Sequence, residues 1–303
     1  MYKYIPPKRR SGFRVKLGCV FYTLLRYFLW LRYSFCFAKT NKKYQKDINL
    51  AVKDYPYSVF THSSPLYRNL SKEDTKLQEG KVHNINLAIK KLNCTVIKPG
   101  LFFSYWKLIG NPVKHKGYKK GMMLVNGKPS EATGGGLCAL SNLIYWMSLH
   151  SPLIVKERYR HSYDVFPDSN RTLPFGSGAT CVYNYRDLIL KNQSDNEFIF
   201  IFKIENKRLC GEIRSKDPVE EAYEVYQKDH WITSEAPGVF VRHNTIYRKT
   251  FDKNHNLKKD ELITENHALM MYNPYIQDKT GENQKNENTK SKTGGSLTKD
   301  KNA

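Results

Sequence analysis

At 303 residues, with 40% hydrophobic and 13% aromatic content, the chain carries enough apolar material for one sizeable domain or two modest ones, which excludes a largely disordered polymer. Fifty Lys and Arg against 28 Asp and Glu give a charge of +22 at pH 7, which suits a polyanionic partner: nucleic acid, an anionic membrane face or an acidic wall polymer. No zinc-finger spacing, RNP-like aromatic box or basic recognition helix accompanies that charge, so nucleic acid is disfavoured, and six cysteines without a CxxC pair argue against a disulfide-stapled scaffold.

Lys8, Arg9, Arg10, Arg14 and Lys16 precede an apolar, aromatic stretch over 17–38, an order like the n-region and h-region of an export signal. Arg26 and Arg32 interrupt the stretch. At about 100° per helical residue they point roughly 120° apart, and each costs about 2.5–3.5 kcal/mol near a bilayer centre. A clean span is therefore not expected, and no small-residue cleavage site follows. The expectation is a membrane-surface element with Trp30 and the tyrosines at headgroup level, meeting an anionic surface through its basic residues and making the protein membrane-associated. A core helix of a cytoplasmic protein is the alternative. The expected organisation is a basic aromatic segment over 1–75, a main domain over 76–275 and a tail over 276–303.

Within 77–93, Ile85, Ala88, Ile89 and Leu92 fall at i, i+3, i+4 and i+7, the face of an amphipathic helix. Pro99-Gly100 stops it, 101–105 reads as a short strand, and 111–133 as a loop rich in Gly and Lys. Gly134, Gly135 and Gly136 then form a turn, and Leu137, Leu140, Ile144 and Met147 mark a helix that starts at Cys138. Over 155–165 the residues alternate: Val155, Glu157, Tyr159, His161, Tyr163 and Val165 share one face, taken as inward, while Arg158 and Asp164 share the other. A further strand is expected over 180–188, a hairpin of 198–204 with 208–213 around Glu205-Asn206-Lys207, and short strands at Phe240, Ile246 and Met270. The fold class is α+β, rich in antiparallel sheet, with a helix starting at a GGGxC turn. Beyond Ile276 the Lys, Asn, Thr, Gly and Glu composition predicts disorder.

A cysteine in the first helical turn meets unpaired N–H groups and the positive end of the helix dipole, which favour thiolate. Glycines before it admit a substrate backbone closely, and their N–H groups can converge on an oxyanion, as thioester chemistry requires. The plain alternative is a tight turn followed by a buried helical cysteine. His161 is the candidate base, with Tyr159 and Tyr163 beside it, and Asp187 the candidate to orient its ring. Ser141 and Arg158, with Tyr159, Tyr163 and Gly134, Gly135 and Gly136, complete the candidate substrate contacts. The histidines show no metal-ligand spacing, and phosphate-loop and dinucleotide motifs are absent, so neither metal nor cofactor is expected.

The ordered run Lys98-Pro99-Gly100, Phe102-Phe103-Ser104, Gly134-Gly135-Gly136-Leu137-Cys138, Leu140-Ser141-Asn142, Glu157-Arg158, His161-Ser162 and Pro174-Phe175-Gly176 resembles the VanW family, and the similarity extends over 82–272. The resemblance implies a cell-envelope protein associated with glycopeptide resistance and with peptidoglycan cross-linking of the L,D-transpeptidase type. The family cysteine falls on Cys138 and its histidine on His161. The reaction so implied is thiolate attack on a stem-peptide carbonyl, release of the terminal D-residue and transfer to an amine of a second stem. The other implied role is non-catalytic binding of peptidoglycan, its precursor or a membrane partner. Two positions depart from the family pattern: Ala139 stands where Gln is usual after the cysteine, and Gly178 where an Asp is usual in the later glycine motif.

Overall fold

A computed structural model describes residues 11–67, 72–125, 127–165 and 172–275. The expected tail and the first basic residues, Lys8, Arg9 and Arg10, lie outside them. The chain opens with α1(Gly12–Arg32), begun by the Ser11 hydroxyl accepting from the Arg14 N–H, and continues through β1(Lys39–Thr40), α2(Lys42–Lys46), α3(Ile48–Asp54) and β2(Tyr57–Pro65). Next come α4(Lys72–Leu92), β3(Thr95–Ile97), β4(Phe102–Ser104), α5(Tyr105–Ile109), β5(Lys120–Val125), β6(Lys128–Thr133) and α6(Cys138–Leu149). The remaining elements among the described residues are strands: β7(Ile154–Glu157), β8(Tyr163–Asp164), β9(Ile189–Lys191), β10(Phe198–Glu205), β11(Arg208–Ser215), β12(Ala222–Ala236), β13(Val239–Phe251) and β14(Leu257–Met270).

The centre is a five-stranded sheet in the order β1-β3-β10-β11-β2, antiparallel at every pairing. Two of its strands, β1 and β2, come from before residue 76. The β10–β11 hairpin forms where expected, because Asn206 and Lys207 both adopt positive φ, the conformation that matches a two-residue turn to strand twist. Phe198, Ile199 and Phe200 are all fully buried although they alternate faces. The reason is cover on both sides: α4 and α6 pack on one, while Ala51 of α3 and Tyr55 just after it enclose Ile199 on the other.

The α4 face is as predicted, with Ile85, Ala88, Ile89 and Leu92 in the core, each fully buried side chain of leucine size contributing roughly 1.5–3 kcal/mol. In α6 the apolar set is wider than the predicted stripe. Nine of its residues, from Leu140 to Leu149, are buried, as in a helix enclosed all round. It lies against β2 and β11, so closely that Met147 abuts Gly211.

Four expectations are corrected. The loop over 111–133 contains the β5–β6 hairpin, which sits beside α4. The continuous strand over 155–165 is two short ones: β7 joins a sheet with β9 and β4, β8 pairs in parallel with β14, and residues 158–162 cross between them. Over 180–188 there is a tight turn, closed by the Val182–Arg186 bridge and turned at Asn184 with positive φ, and the strand begins only at Ile189. Finally, Phe240 and Ile246 belong to one long strand, the middle of the β12–β13–β14 meander.

Candidate functional site around Cys138

Cys138 is the first residue of α6, where the sequence puts it. The helix start is held from below by the Tyr105 hydroxyl, which donates to the Leu137 carbonyl at 2.8 Å. Facing it runs the segment 176–181, which α6 binds repeatedly. The Cys138 thiol donates to the Cys181 carbonyl at 3.8 Å, the Ser141 hydroxyl to the Ala179 carbonyl at 2.8 Å, and the Asn142 side-chain oxygen accepts from the Ala179 N–H at 2.8 Å.

Helix position alone favours thiolate, but the surroundings reverse the sign. Cys138 is half-buried; desolvation by the protein around it pushes its thiol up, and contacts to the backbone recover only part of the shift. Cys181, next to it, is raised further by burial, then by the Cys138 charge.

His161 reaches the same segment from the far side. Its Nδ1 lies 2.8 Å from the Thr180 hydroxyl and its Nε2 3.4 Å from the Asn142 side-chain oxygen. That oxygen can only accept, so Nε2 carries the proton, and in the neutral ring Nδ1 accepts from Thr180. Burial, reinforced by the Arg158 charge, lowers the imidazole to about 4 and keeps it neutral. A side chain at Gly178 would start 2.9 Å from Nε2, so the position that departs from the family pattern borders the imidazole directly.

The glycine turn is a packing joint. Gly134 and Gly136 have positive φ, and a Cβ on Gly135 would sit 2.1 Å from the Gly121 carbonyl oxygen, one on Gly136 2.0 Å from the Lys81 side chain. The Gly134 N–H donates to the Lys119 carbonyl, the Gly135 N–H to the Ala132 carbonyl, and the Gly135 carbonyl accepts from Asn84. Two of the three amides expected to cradle an oxyanion are therefore already engaged.

Asp187 is fully buried and serves another centre. Its carboxylate accepts from the Ser104 hydroxyl at 2.6 Å and from the Trp106 and Leu188 N–H groups, fastening the start of α5. Burial raises it to about 6 despite these bonds and the nearby Arg26. No hydrogen bond to Cys138 or His161 is found among the described residues. Arg158, placed outward by the alternation, points inward: it donates to the Gly178 and Gly176 carbonyls and to Thr264 and Asn266, and lies over the Tyr145 ring. The strand break after Glu157 makes this reversal possible. Tyr159 is exposed under Arg186, and Tyr163 flanks Gly127.

Sequence reasoning missed Asn142, Thr180 and Arg26. Asn142 had a signal, since it stands one helical turn after Cys138 on the same face. Thr180 and Arg26 had none. Arg26, read as a liability for a membrane segment, forms a two-pronged ion pair with Glu157, whose carboxylate also accepts from the Asp187 N–H. The group that breaks the apolar run thereby anchors α1 to the domain. Among the described residues no cluster of side chains is suited to a metal ion.

Residues 80–214 match the family described as VanW like protein. The chain is 31% identical over 205 residues to the vancomycin B-type resistance protein VanW of Enterococcus faecalis, covering 68% of this chain and 71% of that one. It is also 30% identical over 115 residues to the uncharacterized protein YoaR of Bacillus subtilis, 38% of this chain and 36% of the relative. No solved structure matches.

Proposed function

This chain belongs to the VanW family, and we propose that it acts in glycopeptide resistance as a non-catalytic accessory of the cell envelope, binding a wall precursor or a membrane partner. Resistance is carried over from the name of the enterococcal relative. The accessory role rests on one observation: the Cys138 thiol gives its hydrogen to the Cys181 carbonyl, in surroundings that raise its pKa. Reactive cysteines sit where the neighbours favour thiolate and the sulfur is reachable. The engaged Gly134 and Gly135 amides and the doubly bonded His161 ring agree with this reading.

Cysteine-dependent acyl transfer of the L,D-transpeptidase type is the second reading, and one observation favours it: Cys138 and His161 are both bound to the segment 178–181. Transfer requires the thiol to leave Cys181 and an imidazole nitrogen to leave Thr180 or Asn142. Cells lacking the gene, or carrying wild type or Cys138→Ser, separate the two through vancomycin susceptibility and muropeptide composition. The accessory reading expects lost resistance in the deletion, with Cys138→Ser retaining resistance and an unchanged cross-link profile. A folded Cys138→Ser protein that behaves like the deletion establishes transfer instead.

A further inference from the structure

The outer face of α1 is unpartnered in a regular way. Phe13, Leu17, Phe21, Leu24, Phe28 and Leu31 are all more than half exposed, Phe13 and Leu31 by 78% and 77%. At about 100° per residue the six fall within roughly 80° of arc, one continuous stripe along the helix. The residues that seat α1 on the domain, Cys19, Thr23, Arg26 and Trp30, centre about 150° away. The apolar residues thus face solvent while the ion-pairing arginine faces protein, inverse to the arrangement of a soluble amphipathic helix. Among the described residues no helix is long and apolar enough to cross a membrane.

At the end of this stripe the chain turns into a cavity of about 790 Å³. Phe35, 89% exposed, stands on its rim, and Lys39, Lys42, Lys98 and Lys216 line it. Its acids are already engaged: Asp54 accepts from the Tyr44 hydroxyl, and Glu197 from the Tyr55 hydroxyl with Lys98 nearby. Lys39, Lys42 and Lys216 have no ion pair among the described residues. Arg14, Lys16 and Arg32 border the stripe itself.

We propose that α1 lies in the plane of an anionic phospholipid surface, its stripe buried among acyl chains, and that the lysine cavity beside its end receives a phosphate-bearing lipid headgroup. Apolar area supplies the hold and the lysines supply the preference for anionic lipid, each surface cation contributing about 1 kcal/mol, or roughly fivefold in affinity. The inference does not depend on which role Cys138 has.

Co-sedimentation of the full chain with vesicles tests it. Phosphatidylglycerol vesicles are expected to bind at least about tenfold more tightly than phosphatidylcholine vesicles, with the difference shrinking in high salt. Leu24→Asp with Phe28→Asp should abolish binding to both, and Lys39→Glu with Lys216→Glu should cut the anionic preference at least about fivefold while leaving the hold of the stripe. Circular dichroism melts confirm that each variant is folded. Equal binding to the two vesicle types, or binding unchanged by the aspartates, overturns the proposal. So does light scattering that finds a dimer which the aspartates dissociate, because a second copy then covers the stripe.

Discussion

Around Cys138 the thiol, the His161 ring, the Asp187 carboxylate and the Arg158 guanidinium all have partners inside the protein, whereas the outer face of α1 presents six large apolar side chains to solvent. The first region has the residue types of an active site and the bonding of a core. The second has the composition of a core and the exposure of a surface. The contrast teaches that residue type names the chemistry a site could perform, while the hydrogen-bond inventory and exposure decide whether anything is left to meet a partner.

The sharpest way to break the contrast is at the glycine turn. Gly135→Ala places a methyl group against the Gly121 carbonyl oxygen, backbone against which nothing flexible can yield. A loss of about 3 kcal/mol is expected, with overpacking the cause. By differential scanning calorimetry this lowers Tm by on the order of 10 °C, and a variant as stable as wild type would mean a loose turn free to cradle a ligand.

Next in size is a pair of opposed titrations. His161 is lowered from 6.5 to about 4 by burial, so its contribution to stability is complete above pH 6.5 and is lost as pH falls toward 4. Asp187 is raised from 3.8 to about 6, so its contribution is complete below pH 3.8 and is lost as pH rises through 6. Between pH 4 and 6 the two slopes oppose each other. Asp187→Asn should uncover the histidine slope, its Tm falling by on the order of 5 °C more than that of wild type from pH 6.5 to 4, and His161→Gln should do the reverse. Parallel Tm profiles for all three proteins would show that these groups are not buried as described.

Smallest is the effect of α1 substitutions on stability. Leu24→Asp alone should change the unfolding free energy by less than about 0.5 kcal/mol, because the residue is 64% exposed. A loss above about 2 kcal/mol in urea melts would place the stripe in the core and remove the contrast.

Much of the fold was legible where local signals and tertiary context agree. The i, i+3, i+4, i+7 spacing of Ile85, Ala88, Ile89 and Leu92 is the buried face of α4, and Glu205-Asn206-Lys207 turns the hairpin it marks. Alternation failed over 155–165 because a chain leaving one sheet for another loses its period of two, and Arg158 entered the interior where it could satisfy the carbonyls of Gly176 and Gly178. Of the candidate site, the position of Cys138 at a helix start was readable, and its environment was not.

By itself the sequence determined the α+β class, the helix that begins at Cys138 and the family, since periodicity, turn residues and ordered motifs are local properties of the chain. Only the tertiary structure decided that the Gly134 and Gly135 amides are engaged, that His161 bonds Thr180 and Asn142, that Asp187 fastens α5 and that Arg26 turns inward to Glu157. The physical reason is that a side chain's protonation and reactivity depend on which dipoles and charges lie within a few ångströms, and those come from segments far apart in the chain.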